Sequence, residues 1–396
     1  MPALVEAVTV EWAPTSDPFD DTPTWVDITG YVRGVSINRG RSGAFDTYGA
    51  GRATIVLTNK SGNFDQTAWY RWRQVRVTAL ATGPVVLDVF YGFVETILHS
   101  QPTTPGSATA TIHAIDLMGV MARYEFVADS VPIEPSGLRI QRVLTAAALP
   151  TAWKSVVTGY TDIAALDDGV VNAMRHMQDV AEAEVGAIFV SRQGVMAYED
   201  RYELLDRLDF PPETTFSDTP TGAEVPMLLG DMTLTPPGRD YRNRVTFTAE
   251  SGVPQTADNT PANFPSDSLS RTVPVQRESQ AMANAKMLLE VYSQEAVVWP
   301  EHVSVAVHTQ NTIDRVCSLD LRRFCLVKFT PVGQSQQSYK VFLESIQHTI
   351  TVDAWICRLG FSSADRWQDA WGTKTDYLII GDATYGLIGT GKIGPH

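Results

Sequence analysis

Val26-Asp-Ile-Thr-Gly-Tyr-Val-Arg-Gly-Val-Ser-Ile-Asn-Arg-Gly-Arg41, followed by Gly51-Arg-Ala-Thr-Ile-Val-Leu-Thr-Asn-Lys-Ser-Gly-Asn-Phe-Asp65, decides how the chain is read. Side chains of a strand alternate between its two faces. The first part then puts Val35 and Ile37 on one face, and Arg52-Ala-Thr-Ile-Val-Leu-Thr-Asn reads as a second strand. Turn text follows it at Lys60-Ser-Gly-Asn-Phe-Asp. The glycine-rich run from Gly40 to Arg52 lies between two strands, so it reads as a long hairpin connection and not as a nucleotide cradle.

The same rhythm extends outward. Leu4 to Trp12 alternates with Val8, Val10 and Trp12 on one face. Gln74-Val-Arg-Val-Thr-Ala-Leu alternates cleanly, Val85 to Phe93 is a further strand run, and Thr109-Ala-Thr-Ile-His-Ala-Ile-Asp closes the series. Period-2 text broken this often by Gly, Pro and Asn predicts a barrel or sandwich over residues 1–125.

The period then changes. Ser136 to Leu149, ended by Pro150, predicts a helix with Ser136 as N-cap and Leu138, Val143, Leu144 and Ala147 as its core stripe. A second helix is predicted over Asn172–Val185, with Met174, Met177, Ala181 and Val185 at helical spacing and Gly186 as C-cap. Two strand runs separated by Ser-Arg-Gln-Gly follow, Ala187 to Val190 and Val195 to Glu199, a hairpin signal. Residues 126–215 thus read as an α+β unit. Pro211-Pro212 and the Ser/Thr/Pro-rich text to about 222 read as a linker. Strand text resumes at Met232-Thr-Leu-Thr and Asn243-Arg-Val-Thr-Phe-Thr, and residues 251–268 read as a polar, Pro-rich loop. A third helix is predicted over Glu278–Tyr292, with Met282, Ala285, Leu288, Leu289 and Tyr292 as its stripe. Strands are then predicted at 302–308, 324–329, 339–346 and 349–359. The organisation expected is mainly β with α+β insertions: a first β-barrel domain over 1–125, an α+β domain over 126–215, a second β-barrel domain over 216–365 and a Gly-rich C-terminal extension over 366–396.

Composition narrows the function. The 396 residues are 44% hydrophobic and 19% charged, as in folded, water-soluble proteins. A net charge of −14, with 31 scattered Lys and Arg, argues against gripping nucleic acid, which takes a basic face. Cys317, Cys325 and Cys357 form no CxxC and lie in apolar strand text, so buried free thiols are expected. Met1–Val10 does not read as a signal peptide, and no window of about 18 apolar residues marks a membrane-spanning helix.

Catalytic signals are weak. Asp20-Asp21 and Asp167-Asp168 are neighbours in loop text, whereas glycosidic carboxylates must face each other across a cleft. His302 and His308 would share one side of a strand but lack a third ligand. There is no HExxH and no GxSxG, and Cys357 has no neighbouring base. Gly389-Thr-Gly-Lys-Ile-Gly resembles a phosphate loop only in part, because no helix can follow Lys392 before His396. Trp69-Tyr-Arg-Trp-Arg mixes aromatics with arginines; it suits a buried corner or an interface, and also stacking on a carbohydrate or a base. No catalytic residue, cofactor or metal is expected.

The two stretches quoted first resemble the opening domain of minor tail proteins of actinobacterial siphophages. That family carries a "D-I-T" strand, an arginine-bearing loop and then "G-x-A-T-hydrophobic-x-L-x-N-x-x-G-x-F-D". Met177 to Arg201 is similar to the helix-then-hairpin of tail hub proteins, and Tyr241-Arg-Asn-Arg-Val-Thr-Phe-Thr to the family's "x-N-x-V-x-V" strand. The helix over 278–292 and the strand ending Trp355-Ile-Cys-Arg-Leu-Gly fall where the family has them. Together these pieces cover most of residues 4–362.

The resemblance implies two barrel domains akin to the tail-tube protein plus two smaller α+β parts. It also implies a ring, usually a trimer, that closes a hexameric tube. Three chains with two tube-like barrels each convert six-fold symmetry to three-fold, and closed rings form from heterologous contacts. The implied role is a structural hub at the virion tail tip, assembled in the host cytoplasm. Its implied partners are further copies of itself, the distal tail or tail-tube protein, the tape-measure protein and other minor tail or fibre proteins, around a channel for DNA exit. Many hub proteins continue into a fibre or lysin; with the sequence read to His396, such activities are expected to lie in other proteins. The alternative is a receptor- or carbohydrate-binding tip protein, motivated by nine Trp and the 69–73 cluster. Interface candidates by polarity and position are Arg39, Arg41, Phe45, Tyr48, Arg52, Trp69, Trp72, Trp367 and Trp371, with the 251–268 loop and the 366–396 extension.

Overall fold

The computed structural model describes residues 7–371 except 61, 63, 65–69, 84, 101–107, 229 and 231, together with the backbone of 377–378 and 392–393. The first part contributes six long strands: β1 (Val8–Ala13), β2 (Val32–Gly40), β3 (Gly49–Thr58), β4 (Gln74–Leu80), β5 (Val86–Ser100) and β6 (Thr109–Ile115). They pair antiparallel in the order β2-β3-β6-β5-β4-β1. The sheet curls: Ile28 N donates to Val10 O at 2.9 Å and Val10 N to Thr29 Oγ1 at 2.9 Å, bringing β1 back beside the start of β2. Alternation places the core as expected. Val8, Val10, Trp12, Val35 and Ile37 are all buried.

A short helix α1 (Leu117–Met121), capped by the Asp116 side chain, leads out of the curl. The α+β part holds β7 (Glu125–Ala128), α2 (Ser136–Ala146), β8 (Gly169–Asn172), α3 (Ala173–Ala183), the hairpin β9 (Ala187–Val190) and β10 (Met196–Glu199), and α4 (Glu203–Leu208). Here α3 begins as expected, with Asn172 Oδ1 accepting from Arg175 N at 3.0 Å. Three local expectations are corrected. Pro135, not Ser136, occupies the N-cap of α2, and the Ser136 hydroxyl turns inward to Glu184 at 2.8 Å. Leu138 is exposed, and Ile140 fills the stripe with Val143 and Leu144. Val185, not Gly186, takes the left-handed position after α3 (φ 59°). Gly186 N then reaches back to Ala181 O at 2.9 Å. Gly186 is needed for another reason: a Cβ there would lie 2.4 Å from Glu199 O.

The 211–222 stretch is not a plain linker. It contains β11 (Thr214–Ser217), which runs parallel to a strand far along the chain. The 251–268 stretch is likewise not all loop. β13 (Pro254–Asp258) pairs antiparallel with β12 (Arg244–Thr248), and β14 (Ser268–Thr272) pairs parallel with it on the other side. Helix α5 (Glu278–Tyr292) packs on this small sheet with Ala285 and Leu289 buried. After it come β15 (Pro300–Ala306), α6 (Gln310–Ser318), β16 (Phe324–Phe329), β17 (Gln337–Thr351), β18 (Trp355–Ser363) and α7 (Asp365–Trp371).

Strand β17 joins the two β-rich parts. Its first half pairs with β16, its length pairs with β18, and its second half, from Ser345 to Thr351, pairs antiparallel with β2 from Gly40 back to Gly34. Backbone hydrogen bonds therefore run without a break from the first curl into the second β-rich part, in one sheet of 14 strands. The protein is mainly β with α+β insertions. A Cβ on Gly40 would lie 2.1 Å from Glu344 O, so only glycine lets β2 approach β17 this closely. Among the described residues no helix is long and apolar enough to cross a membrane.

Candidate functional site

The connection between β2 and β3 folds inward onto the seam. Glu344 lies in an apolar run, Val341-Phe-Leu-Glu-Ser-Ile346, where the ladder shifts register. That irregularity turns its carboxylate into the interior. Arg41 meets it with both arms, Nε to Oε2 at 2.8 Å and Nη2 to Oε1 at 3.0 Å. The Tyr48 hydroxyl donates to Oε2 and Ser362 Oγ to Oε1 at 2.6 Å. Burial opposes ionisation of Glu344, but the Arg41 charge and these donors prevail and hold its pKa at about 2. Burial likewise opposes the Arg41 cation, and Glu344 overcomes it, so its pKa is raised. Phe45 packs on Tyr292 of α5 with ring centroids 4.6 Å apart, and the Arg242 guanidinium covers its other side at 4.5 Å.

Two further buried networks surround this loop. Arg39 donates to Asp320 Oδ1 at 2.5 Å and to Val190 O at 3.0 Å. Asp320 also accepts from Arg192 N in the β9–β10 turn, which ties that hairpin to the seam. Glu184, at the C-cap of α3, is fully buried. It accepts from Ser136 Oγ, Tyr160 N, Thr161 N and Arg201 Nε at 2.7–3.0 Å. Arg201 also donates to Asn284 of α5, and Asn284 donates to Ala183 O at 2.5 Å. This network fixes the α+β part to the second β-rich part.

The interface candidates divide into two groups. Arg41, Phe45, Tyr48 and Trp367 line one cavity of about 100 Å³, with Arg39 buried nearby in its own ion pair. Arg41, Phe45 and Tyr48 turn inward to partners far along the chain, and Trp367 is buried in an apolar cluster with Met287 and Phe342. Arg52 and Trp72 lie elsewhere, around Glu95. Arg52 is 70% exposed and 3.9 Å from Glu95, while Arg123 pairs with Glu95 and covers the Trp72 ring at 4.8 Å. Trp72 sits at φ 69° beside an open, largely apolar groove that includes Phe19, Phe93 and Leu149. Trp69 and the Trp371 side chain lie outside the described residues, as does nearly all of the 366–396 extension beyond α7. Glu344, Glu184, Arg201 and Arg322 were not singled out from the sequence. The signal was a charge inside apolar text, as at Glu344.

The reactive residue types are sequestered. All three cysteines are free and buried, and burial pushes the Cys317 thiol up to about 12 and the other two up as well. Burial pulls His348 down to about 3 and His176 to about 4, which keeps both rings neutral. His302 and His308 do not form a same-face pair. β15 ends at Ala306, so His308 lies past the strand, and His302 contacts Arg358 at 3.0 Å. Asp168 accepts from Ser130 N and Oγ, a loop-closing role. Among the described residues no group of three His, Cys, Asp or Glu is placed to hold a metal ion. The phosphate-loop fragment at 389–394 lies outside the described side chains.

No protein-family model matches the chain, and no curated protein matches it in sequence. Its fold is nevertheless that of phage tail proteins. The tail protein from Neisseria meningitidis MC58 is similar at TM-score 0.60 and 13% identity, over 92% of this chain and 98% of that one. The 43 kDa tail protein of prophage MuSo2 from Shewanella oneidensis is similar at TM-score 0.56 and 11% identity, over 91% and 99%. A chain of the Francisella PdpA–VgrG complex in its half-lidded form is similar at TM-score 0.51 and 7% identity, over 91% of this chain but only 58% of that one.

Proposed function

We propose that this protein is a structural component of a phage tail tip and not an enzyme. It forms a ring, of three copies, that closes the tail tube and connects it to distal tip or fibre proteins, leaving a channel for the tape-measure protein and DNA. The observation that carries this reading is the end-to-end likeness to two phage tail proteins, over more than nine-tenths of both chains in each case. The presence of two β-rich parts in the chain supports the three-fold-on-six-fold arithmetic. The domain division at about 125, 215 and 365 belongs to this reading. So does a contact with a neighbour around Arg52 and Trp72, which keep exposed surface.

Mixing purified protein with tail-tube protein and imaging the product tests it. Rings capping tube ends are expected, and tubes left uncapped at any ratio would refute the reading. A receptor- or carbohydrate-binding role is favoured by one feature, the aromatic groove of about 320 Å³ beside Trp72. Saturable binding on a glycan array, lost in Trp72→Ala, would establish that second reading.

A further inference from the structure

The two β-rich parts repeat one another. Phe93-Val-Glu-Thr-Ile-Leu-His-Ser100 in β5 and Phe342-Leu-Glu-Ser-Ile-Gln-His-Thr349 in β17 share Phe, Glu, Ile and His at the same places, with Val for Leu and Thr for Ser among the exchanges. Both strands are 15 residues long. Both ladders shift register at the glutamate, between Val94 and Thr96 and between Leu343 and Ser345. Trp72 and Arg322, two residues before β4 and β16, both take left-handed φ, 69° and 63°. Their amides donate to matching carbonyls, Trp72 N to Val94 O at 2.7 Å and Arg322 N to Leu343 O at 2.6 Å. The neighbouring strands correspond as well: β3, β6, β5 and β4 pair in that order, as do β15, β18, β17 and β16.

The two parts differ at one edge. Past its register shift, β17 is paired on its β16 side by β2, a strand of the other part, over 345–351. Past the shift in β5, the β4 side of 96–100 pairs with no strand among the described residues, and Leu98 there is 55% exposed. The counterpart of β2 is the short strand Thr233–Leu234. It pairs with β15 as β2 pairs with β3, and among the described residues it has no second strand beside it. Register identifies its match. Thr96 faces His113 and then Thr54, whereas Ser345 faces Gly360 and then His302. Two residues earlier on those last strands, Arg52 faces Asn38 and Pro300 faces Leu234. Asn38 faces Gln347 across the β2–β17 joint, and Leu98 holds the place of Gln347 in β5. Open strand edges take up further strands.

We propose that these two open edges meet between copies: Thr233–Leu234 of one copy adds to β5 of the next along 96–100, with Leu234 opposite Leu98. The β2–β17 joint inside each copy is then repeated between copies, and one such head-to-tail contact closes a ring. The turn over 236–241 comes over Glu95 and Trp72, as the loop over 41–48 comes over Glu344. This joint presupposes the ring proposed above and names the edges that close it. Oxidising a Leu98→Cys/Leu234→Cys double variant in its assembled state tests it. Facing residues of antiparallel strands have Cα atoms about 4.5–5.5 Å apart, within disulfide reach. The three native cysteines are buried and stay silent. A covalent trimer is expected on a gel run without reductant; a mixture of the two single variants should give linked dimers, and either alone none. Leu98→Asp, at an exposed site, should raise the dissociation constant of the ring at least about tenfold. If the cysteine variant does not fold, the assembled wild type decides: amides over 96–100 that point away from β6 should be protected from exchange. A trimer by mass that forms no link, or whose 96–100 edge exchanges freely, would overturn this joint and leave the ring standing. Chains that stay monomeric alone and with tail-tube protein would overturn both.

Discussion

Removing Glu344 alone should destabilise the protein more than removing Glu344 and Arg41 together. In Glu344→Leu, Arg41 keeps its charge at a site 13% exposed, while Tyr48 and Ser362 lose their acceptor. Breaking a buried ion pair from one side costs about 3–5 kcal/mol. Replacing both partners with apolar groups of similar volume is often neutral or stabilising by about 1–4 kcal/mol. The double variant R41M/E344L is therefore expected to exceed E344L in stability by about 3 kcal/mol. Urea unfolding of wild type, both single variants and the double variant measures the coupling. Acid titration is the companion test. Folding lowers the Glu344 pKa from its ordinary 4.5 to about 2. Its contribution is thus fully present above pH 4.5 and is lost as pH falls toward 2, an extra loss of about 3 kcal/mol relative to E344L. Additive single-variant losses, or identical acid profiles, would refute the reasoning.

Other outcomes follow from the same contacts. Gly40→Ala places a Cβ 2.1 Å from Glu344 O at φ 109°, so it should open the β2–β17 ladder, read as lost hydrogen-exchange protection over 345–351. All three cysteines should ignore a thiol reagent in the native state and react together on unfolding, because burial both hides them and raises their pKa values. Burial lifts the Asp116 carboxyl to about 7 against the pull of the Gly51, Gly119 and Met118 amides. A folded pKa above the unfolded one contributes stability that is full below about pH 4 and lost as pH rises through 7. Asp116→Asn should flatten that decline, which calorimetry from pH 4 to 8 would register.

Much of the fold was legible because burial writes itself as period. β1, β2 and β3 show clean alternation, and α3 and α5 show helical stripes whose bounds the structure keeps within two residues. What was illegible depends on distant partners. β11 is four polar-rich residues, Thr-Thr-Phe-Ser, that become a strand only because β16 lies alongside. α6 opens with Gln310-Asn-Thr and is fixed by a Thr309–Thr312 capping box, which lacks the acidic residue that usually advertises one. By polarity and position Arg39, Arg41 and Arg52 read alike, as interface candidates. Arg39 and Arg41 instead find carboxylates some 300 residues away, a pairing no local pattern encodes. Arg52 has only Glu95 at 3.9 Å, shared with Arg123, and stays 70% exposed.

The central claim is a closed ring, so its most direct test is the mass of the native particle. Three chains of 43.5 kDa give about 130 kDa. Native mass spectrometry of the protein, alone and with tail-tube protein, is predicted to show that species or its capture on the tube. A chain that stays at 43.5 kDa in both conditions would contradict the account.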